Sequence, residues 1–311
     1  MRLPSILLNY VDERLQTRKV PGIYRSFAWD RAEENLILAG DRRRILSVHG
    51  ERVANLASGT DQNLRKISVN PSTGTILIAG NAGCLLHLDE DATVNKVNIP
   101  TTTNLRAADW NHDGSVALIA GNGGTLLEYS DQKIQVIDGG RANLRHIAWR
   151  PKTNFALVTS NCFAEEFIPS PNLFNYDAGT QTLSSSNEGR ADLIGADWKR
   201  DGTSAIVVGY DVIWHNGVIA MFDGGDMTSV EFNNKQVYPV AASWNPIGEI
   251  AAIATAAAQR EMGEGSVLLW NGRTFRPIFS NDEFFFSAVA WNRKGTELVA
   301  LGSTATRTFN C

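Results

Sequence analysis

Four arginines stand at one recurring place in the chain. Arg25, Arg65, Arg106 and Arg145 each lie four residues before a bulky apolar residue: Trp29, Val69, Trp110 and Trp149. The last three sit in an identical tripeptide, Asn63-Leu64-Arg65, Asn104-Leu105-Arg106 and Asn143-Leu144-Arg145. A guanidinium is planar, presents five N–H donors and keeps its proton at any physiological pH, so its chemistry is bidentate recognition of carboxylates and phosphates. Four of them gathered by a fold repel one another, and something anionic must offset that repulsion. Two offsets are open at this stage: internal acids, for which Asp61, Asp109, Asp192 and Asp197 are at hand, or the acidic segment or phosphates of a bound partner. Arg42 and Arg43, in Asp41-Arg42-Arg43-Arg44, add positive charge beside Arg25.

The elements that would position these arginines are set by a repeat. Seven segments align on the residues Trp29, Val69, Trp110, Trp149, Trp198, Trp244 and Trp291, spaced 40, 41, 39, 49, 46 and 47 residues apart. That period is the length of a four-stranded blade. After each anchor comes a turn, as at Thr73-Gly74, Asp113-Gly114 and Asp201-Gly202. Then follows a run that is apolar on both parities, such as Leu36-Ile37-Leu38-Ala39, Ile76-Leu77-Ile78-Ala79 or Ala205-Ile206-Val207-Val208. Such runs suit strands covered on both faces. A third strand ends in a large apolar residue and a polar one (Leu88-Asp89, Tyr129-Ser130, Tyr176-Asp177, Phe222-Asp223, Trp270-Asn271, Phe309-Asn310), and a more polar fourth, such as Lys133 to Val136, completes the unit. The fold class that follows is all-β: residues 1–311 form a single seven-bladed β-propeller of four-stranded antiparallel blades. The last repeat stops after its third strand, so residues 1–12, with Ser5 to Val11 as the strand, are predicted to supply its fourth and remove an open sheet edge.

The order of segments resembles the WD40 repeat, with the strand-end pairs standing where that family keeps its Trp-Asp dipeptide. Only Trp270-Asn271 approaches that dipeptide, and no repeat has the Gly-His pair. The turns Gly80-Asn81-Ala82-Gly83 and Gly121-Asn122-Gly123-Gly124 are also similar to those of photosystem-assembly-factor and sialidase-like propellers. The resemblance implies that the residue four before each anchor begins an innermost strand at the mouth of a central channel. In blades 5 to 7 that residue is Ile194, Val240 or Ser287, which leaves the arginines on blades 1 to 4. The turns on this face are enlarged in blades 4 to 6 and hold Phe163, Phe167, Trp214 and Met262 among acids. Insertions in repeat proteins collect on the binding face. These four are therefore candidate anchors for a protein partner, unless the loops pack on one another.

Catalytic chemistry has less support. The five histidines show no metal-ligand spacing, and neither a G-x-S-x-G elbow nor a phosphate-binding G-x-x-x-x-G-K-[ST] loop is present. The Gly121 to Gly124 run lies between strands and reads as a hairpin turn. Asp109 and Asp197, each just before a Trp, are the only basis for a channel-centred enzyme. No catalytic residue, metal or cofactor is expected. The net charge of −4 gives no whole-molecule attraction to nucleic acid or anionic lipid. No apolar run is long enough to span a bilayer, and the Ile6-Leu7-Leu8 stretch is too short for a secretory signal. Three distant cysteines, Cys84, Cys162 and Cys311, read as free thiols of a reducing, cytoplasmic compartment. The expectation is a non-catalytic scaffold that docks a protein partner in a multi-subunit assembly. The alternatives are a module that binds an anionic ligand or nucleic acid through the arginines, and a propeller enzyme.

Overall fold

The computed structural model describes residues 4–89, 93–161, 169–211, 213–232, 237–257 and 264–304. Among them every regular element is a strand, and the strands form seven four-stranded antiparallel sheets. Blade 1 is built from Tyr24–Trp29, Leu36–Gly40, Arg44–His49 and Arg52–Leu56, from the centre outward. The innermost strand of each blade touches that of the next, and the last of them, Phe285–Trp291, touches the first, Tyr24–Trp29, so the sheets close into a ring.

Burial follows the apolar runs. The second strands Leu36–Gly40, Ile76–Gly80 and Ala117–Gly121 are buried at every position, because neighbouring blades cover both faces. The anchor tryptophans pack within their blades against the third-strand ring. Trp110 meets Tyr129, Trp149 meets Tyr176 and Trp198 meets Phe222, all edge to face with centroids 5.8, 6.3 and 6.0 Å apart. Two of them also reach the preceding blade: Trp149 Nε1 donates to the Asp109 carbonyl (3.1 Å) and Trp198 Nε1 to the Ala148 carbonyl (3.2 Å).

Closure differs in detail from the sequence expectation. The N-terminal segment supplies two strands of blade 7, not one. β1 (Pro4–Val11) takes the third place, pairing with Glu297–Ser303 on one side and with β2 (Arg14–Pro21) on the other. The fourth place, expected for β1, goes to β2. The reason is burial. Ile6, Leu7, Leu8 and Tyr10 are all buried and need cover on both faces, whereas β2 is mostly exposed and charged, which suits an outer edge. Phe309 and Asn310, read as the end of a third strand, lie outside the described residues.

Candidate functional site

Each inner strand contains one irregularity, at the same place. The ladder to the second strand skips between Tyr24 and Ser26, Leu64 and Lys66, Leu105 and Ala107, and Leu144 and His146. It skips likewise between Leu193 and Gly195, Pro239 and Ala241, and Phe286 and Ala288. The skipped residues are Arg25, Arg65, Arg106, Arg145, Ile194, Val240 and Ser287. A bulged residue leaves the ladder and its side chain is re-aimed. Here all seven line one central cavity of about 360 Å³. The four guanidinium groups expected at the channel mouth are thus brought together. Close approach of the bulged backbone also explains a recurring glycine: a Cβ at Gly121 would lie 2.5 Å from the Asn104 carbonyl oxygen.

The arginines are held by a partner sixteen residues further on, across the blade's own turn. Arg25 forks onto Asp41, with Nε to Oδ1 at 3.2 Å and Nη2 to Oδ2 at 2.6 Å. Arg65, Arg106 and Arg145 instead donate through Nε to the amide oxygens of Asn81, Asn122 and Asn161 at 2.9, 3.1 and 2.5 Å. Arg65 Nη1 also reaches Asp41 Oδ1 at 3.5 Å. The Asn of each Asn-Leu-Arg tripeptide has a different duty. Asn63, Asn104 and Asn143 accept the backbone amides of Arg42, Ala82 and Gly123, fastening the turn of the preceding blade. One tripeptide therefore ties down two adjacent turns and aims one guanidinium.

Among the described residues, the carboxylate paired with Arg25 and Arg65 is not one of the four anticipated. It is Asp41. Asp61 accepts from Gln62, Asp109 from Ser68 Oγ at 2.9 Å and from the Trp149 amide, and Asp197 from the Trp244 amide at 2.7 Å, while Asp192 is buried in blade 5. Ser68 and Ser243 take the Trp110 and Trp291 amides in the same way. The residue just before an anchor therefore clamps the inner strand of the next blade, which gives Asp109 and Asp197 a structural task. Among the described residues no carboxylate lies within ion-pair distance of Arg106. Its guanidinium is depressed to about 10, first by burial and then by the like charges of Arg145 and Arg65. Burial likewise lowers Arg65, with Asp41 opposing that effect.

A second charged layer lies beneath. Lys66, His146, Asp109 and Asp197 border the same cavity; they touch its interior yet are enclosed by protein on the remaining sides. Burial raises Asp109 to about 6 and Asp197 to about 7, and lowers both the Lys66 ammonium and His146, the latter to about 3. His146 is therefore neutral near pH 7. Sequence reasoning missed Lys66 and His146; the signal was their place one residue after Arg65 and Arg145. Among the described residues no group of three or more His, Cys, Asp and Glu is arranged to hold a metal ion.

Of the other candidates, Arg42 and Arg43 are exposed in the first-blade turn, both with positive φ (56° and 58°). Trp214 is 68% exposed, at the tip of the blade 5 turn, where Asp211 Oδ1 accepts the Ile213 and Trp214 amides. Phe163, Phe167 and Met262 lie outside the described residues, as do Cys162 and Cys311. Cys84 is a buried free thiol.

No protein-family model matches the sequence, and no curated protein matches it. Among solved structures the chain is similar to one of Kuenenia stuttgartiensis hydrazine synthase: 12% identity, TM-score 0.72, covering 89% of this chain and 92% of that one. At that identity the likeness is one of fold, the seven-bladed ring. No helix among the described residues is long and apolar enough to cross a membrane.

Proposed function

We propose that this chain is a non-catalytic, WD40-like binding platform whose channel mouth receives acidic side chains of a protein partner, within a cytoplasmic multi-subunit assembly. The observation that carries this reading is the set of four guanidinium groups aimed into one cavity, with Asp41 paired to Arg25 and Arg65 and, among the described residues, no carboxylate in ion-pair distance of Arg106. Arg25 and Arg65 share that acid, whereas Arg106, among the described residues, meets an amide oxygen and two repelling neighbours. An incoming carboxylate restores what burial removes from Arg106, and charge-assisted hydrogen bonds to a preset fork are the stronger kind. Arg42, Arg43 and the exposed indole of Trp214 stand on turns of the same face, a charged and an aromatic contact for the same partner.

A second reading, a small multivalent anion held in the channel, is favoured by the convergence of the arginines on one cavity and by Lys66, which lines it too. One experiment tests both. The Arg106→Ala/Arg145→Ala chain is titrated beside the parent with a glutamate-rich peptide and with inorganic phosphate, at low and high salt. Salt-sensitive peptide binding that the double variant loses supports docking. Binding of phosphate alone supports the small-anion reading. Equal peptide binding by parent and variant removes the channel mouth as the site.

A further inference from the structure

In blades 3 to 6 the inner and third strands bring paired rings to the seam, and blade 2 lacks both. Across the inner three strands, Trp110, Ala117 and Tyr129 face one another in blade 3, and Trp149, Ala156 and Tyr176 in blade 4. The sets in blades 5 and 6 are Trp198, Ala205, Phe222 and Trp244, Ala251, Trp270. In each, a small alanine leaves room for an indole against a second ring. Blade 2 has Val69, Ile76 and Leu88 at these registers. The added bulk of Ile76 over alanine does not replace two rings.

The consequence is a groove of about 640 Å³ between blades 1 and 2, at the end of the inner strands away from the arginines. Its apolar part is made by Ile37 and Leu56 of blade 1 and Ile76 and Leu88 of blade 2. Asp30 and Asp89 line it as well. Both carboxylates are fixed in place: Asp30 accepts the Glu34 amide and Asn35 Nδ2, and Asp89 accepts Asn95 Nδ2 and faces His87 Nδ1 at 3.1 Å. Among the described residues, exposed Arg31 is the cation that lines it. The seam between blades 7 and 1 makes a useful contrast. There Trp29 is present and only the third-strand ring is replaced, by Val48. A cavity of about 460 Å³ remains, in which Leu7, Trp29, Leu36 and Val48 are joined by charged groups including Arg18, Glu33, Glu51 and Glu297.

We infer that the groove between blades 1 and 2 is a docking site for one aromatic side chain, tryptophan above all, carried by an extended partner segment with a basic residue beside it. The chain's own pseudo-symmetry sets the shape of the occupant, since the corresponding volume holds an indole edge-on to another ring in blades 3 to 5 and tilted against one in blade 6. The two fixed carboxylates set the charge of the flanking residue. Burying such a ring against four aliphatic side chains is a strong local source of affinity, and isolated aromatic anchors of this kind dominate many interfaces.

The test uses the full chain with methyl-labelled isoleucine and leucine and the peptide acetyl-Gly-Trp-Lys-Gly-amide. The expected result is saturable shifts confined to the methyls of Ile37, Ile76, Leu56 and Leu88, absent with the peptide in which Ala replaces Trp. Val69→Trp fills the seam with the chain's own indole, as Trp29 sits opposite Leu36 in blade 1, so it should abolish the shifts and raise Tm. Should that variant not fold, Ala54→Arg decides. Ala54 is an exposed groove residue on the outer strand of blade 1, and an arginine there should weaken the peptide by about tenfold or more. No shifts at millimolar peptide, the same shifts with the Ala peptide, or unchanged affinity in Ala54→Arg would each overturn the inference. The channel arginines are untouched by these variants, so the outcome is independent of the docking proposed at the mouth.

Discussion

Blades 1 to 4 and blades 5 to 7 share one backbone and differ in what it presents. All seven inner strands bulge at the same place, and all seven bulged residues line the channel. On one side they are Arg25, Arg65, Arg106 and Arg145; on the other they are Ile194, Val240 and Ser287. The contrast separates what folding needs from what it tolerates. The bulge belongs to the architecture, since it forms whether the residue is basic, aliphatic or a hydroxyl. The guanidinium does not, since three blades close without it. Four like charges, each aimed by an Asp or Asn across its turn, are what the proposed docking would use.

Four outcomes would break or sharpen that contrast. The largest concerns what the two halves share. Trp149→Ala and Trp198→Ala, one from each half, should each lower unfolding free energy by about 3–5 kcal/mol in urea titration. A much smaller loss in one half would mean that the scaffold is not uniform. Next, Arg106→Ala/Arg145→Ala should cost about 2–3 kcal/mol of affinity for a glutamate-rich peptide, measured calorimetrically. The double replacement Ile194→Ala/Val240→Ala should leave that affinity almost unchanged.

The third concerns pH. Asp197 is raised to about 7 and Asp109 to about 6 by burial, so the folded chain holds protons that the unfolded chain has released by then. Their contribution to stability is present below the ordinary carboxylate range near pH 4 and is lost as pH rises toward 6–7. Asp197→Asn keeps an oxygen for the Trp244 amide and removes the titration. Its stability should fall less between pH 4 and pH 8 than that of the parent, by about 1–2 kcal/mol, in denaturant melts across that range. The smallest effect is on folding itself. Arg106→Ile places in blade 3 what blade 5 already has, relieves repulsion from Arg65 and Arg145, and should change stability by no more than about 1 kcal/mol, upward rather than downward. A large destabilisation would mean that the arginine supports the fold after all.

Much of the architecture was legible because it is periodic. Six tryptophans at blade spacing, with apolar runs behind them, specify seven similar sheets, and a period survives local irregularity. The alignment also placed the four arginines at the same blade position. It could not show that a bulge aims them, since a skipped register is a relation between two strands and leaves no residue signature in either. Nor could it choose Asp41 over Asp61 or Asp109 as the acid for Arg25, because sixteen residues of hairpin separate that pair. Lys66 passed unnoticed, since a single lysine on a strand looks solvated until the ring closes over it. At the closing blade the Phe309-Asn310 pair matched a third-strand end by residue type, but the third place goes to Pro4–Val11, with Arg14–Pro21 beyond it.

What this sequence determined by itself is the repeat: side-chain volume and apolarity at fixed intervals favour the same sheet seven times over. What only the tertiary structure decided is convergence. A ring makes neighbours of residues about forty positions apart, and there alone do four cations face one cavity and one seam stand short of its rings. The physical reason is that charge repulsion and unfilled volume are properties of what surrounds a group, and closure supplies the surroundings.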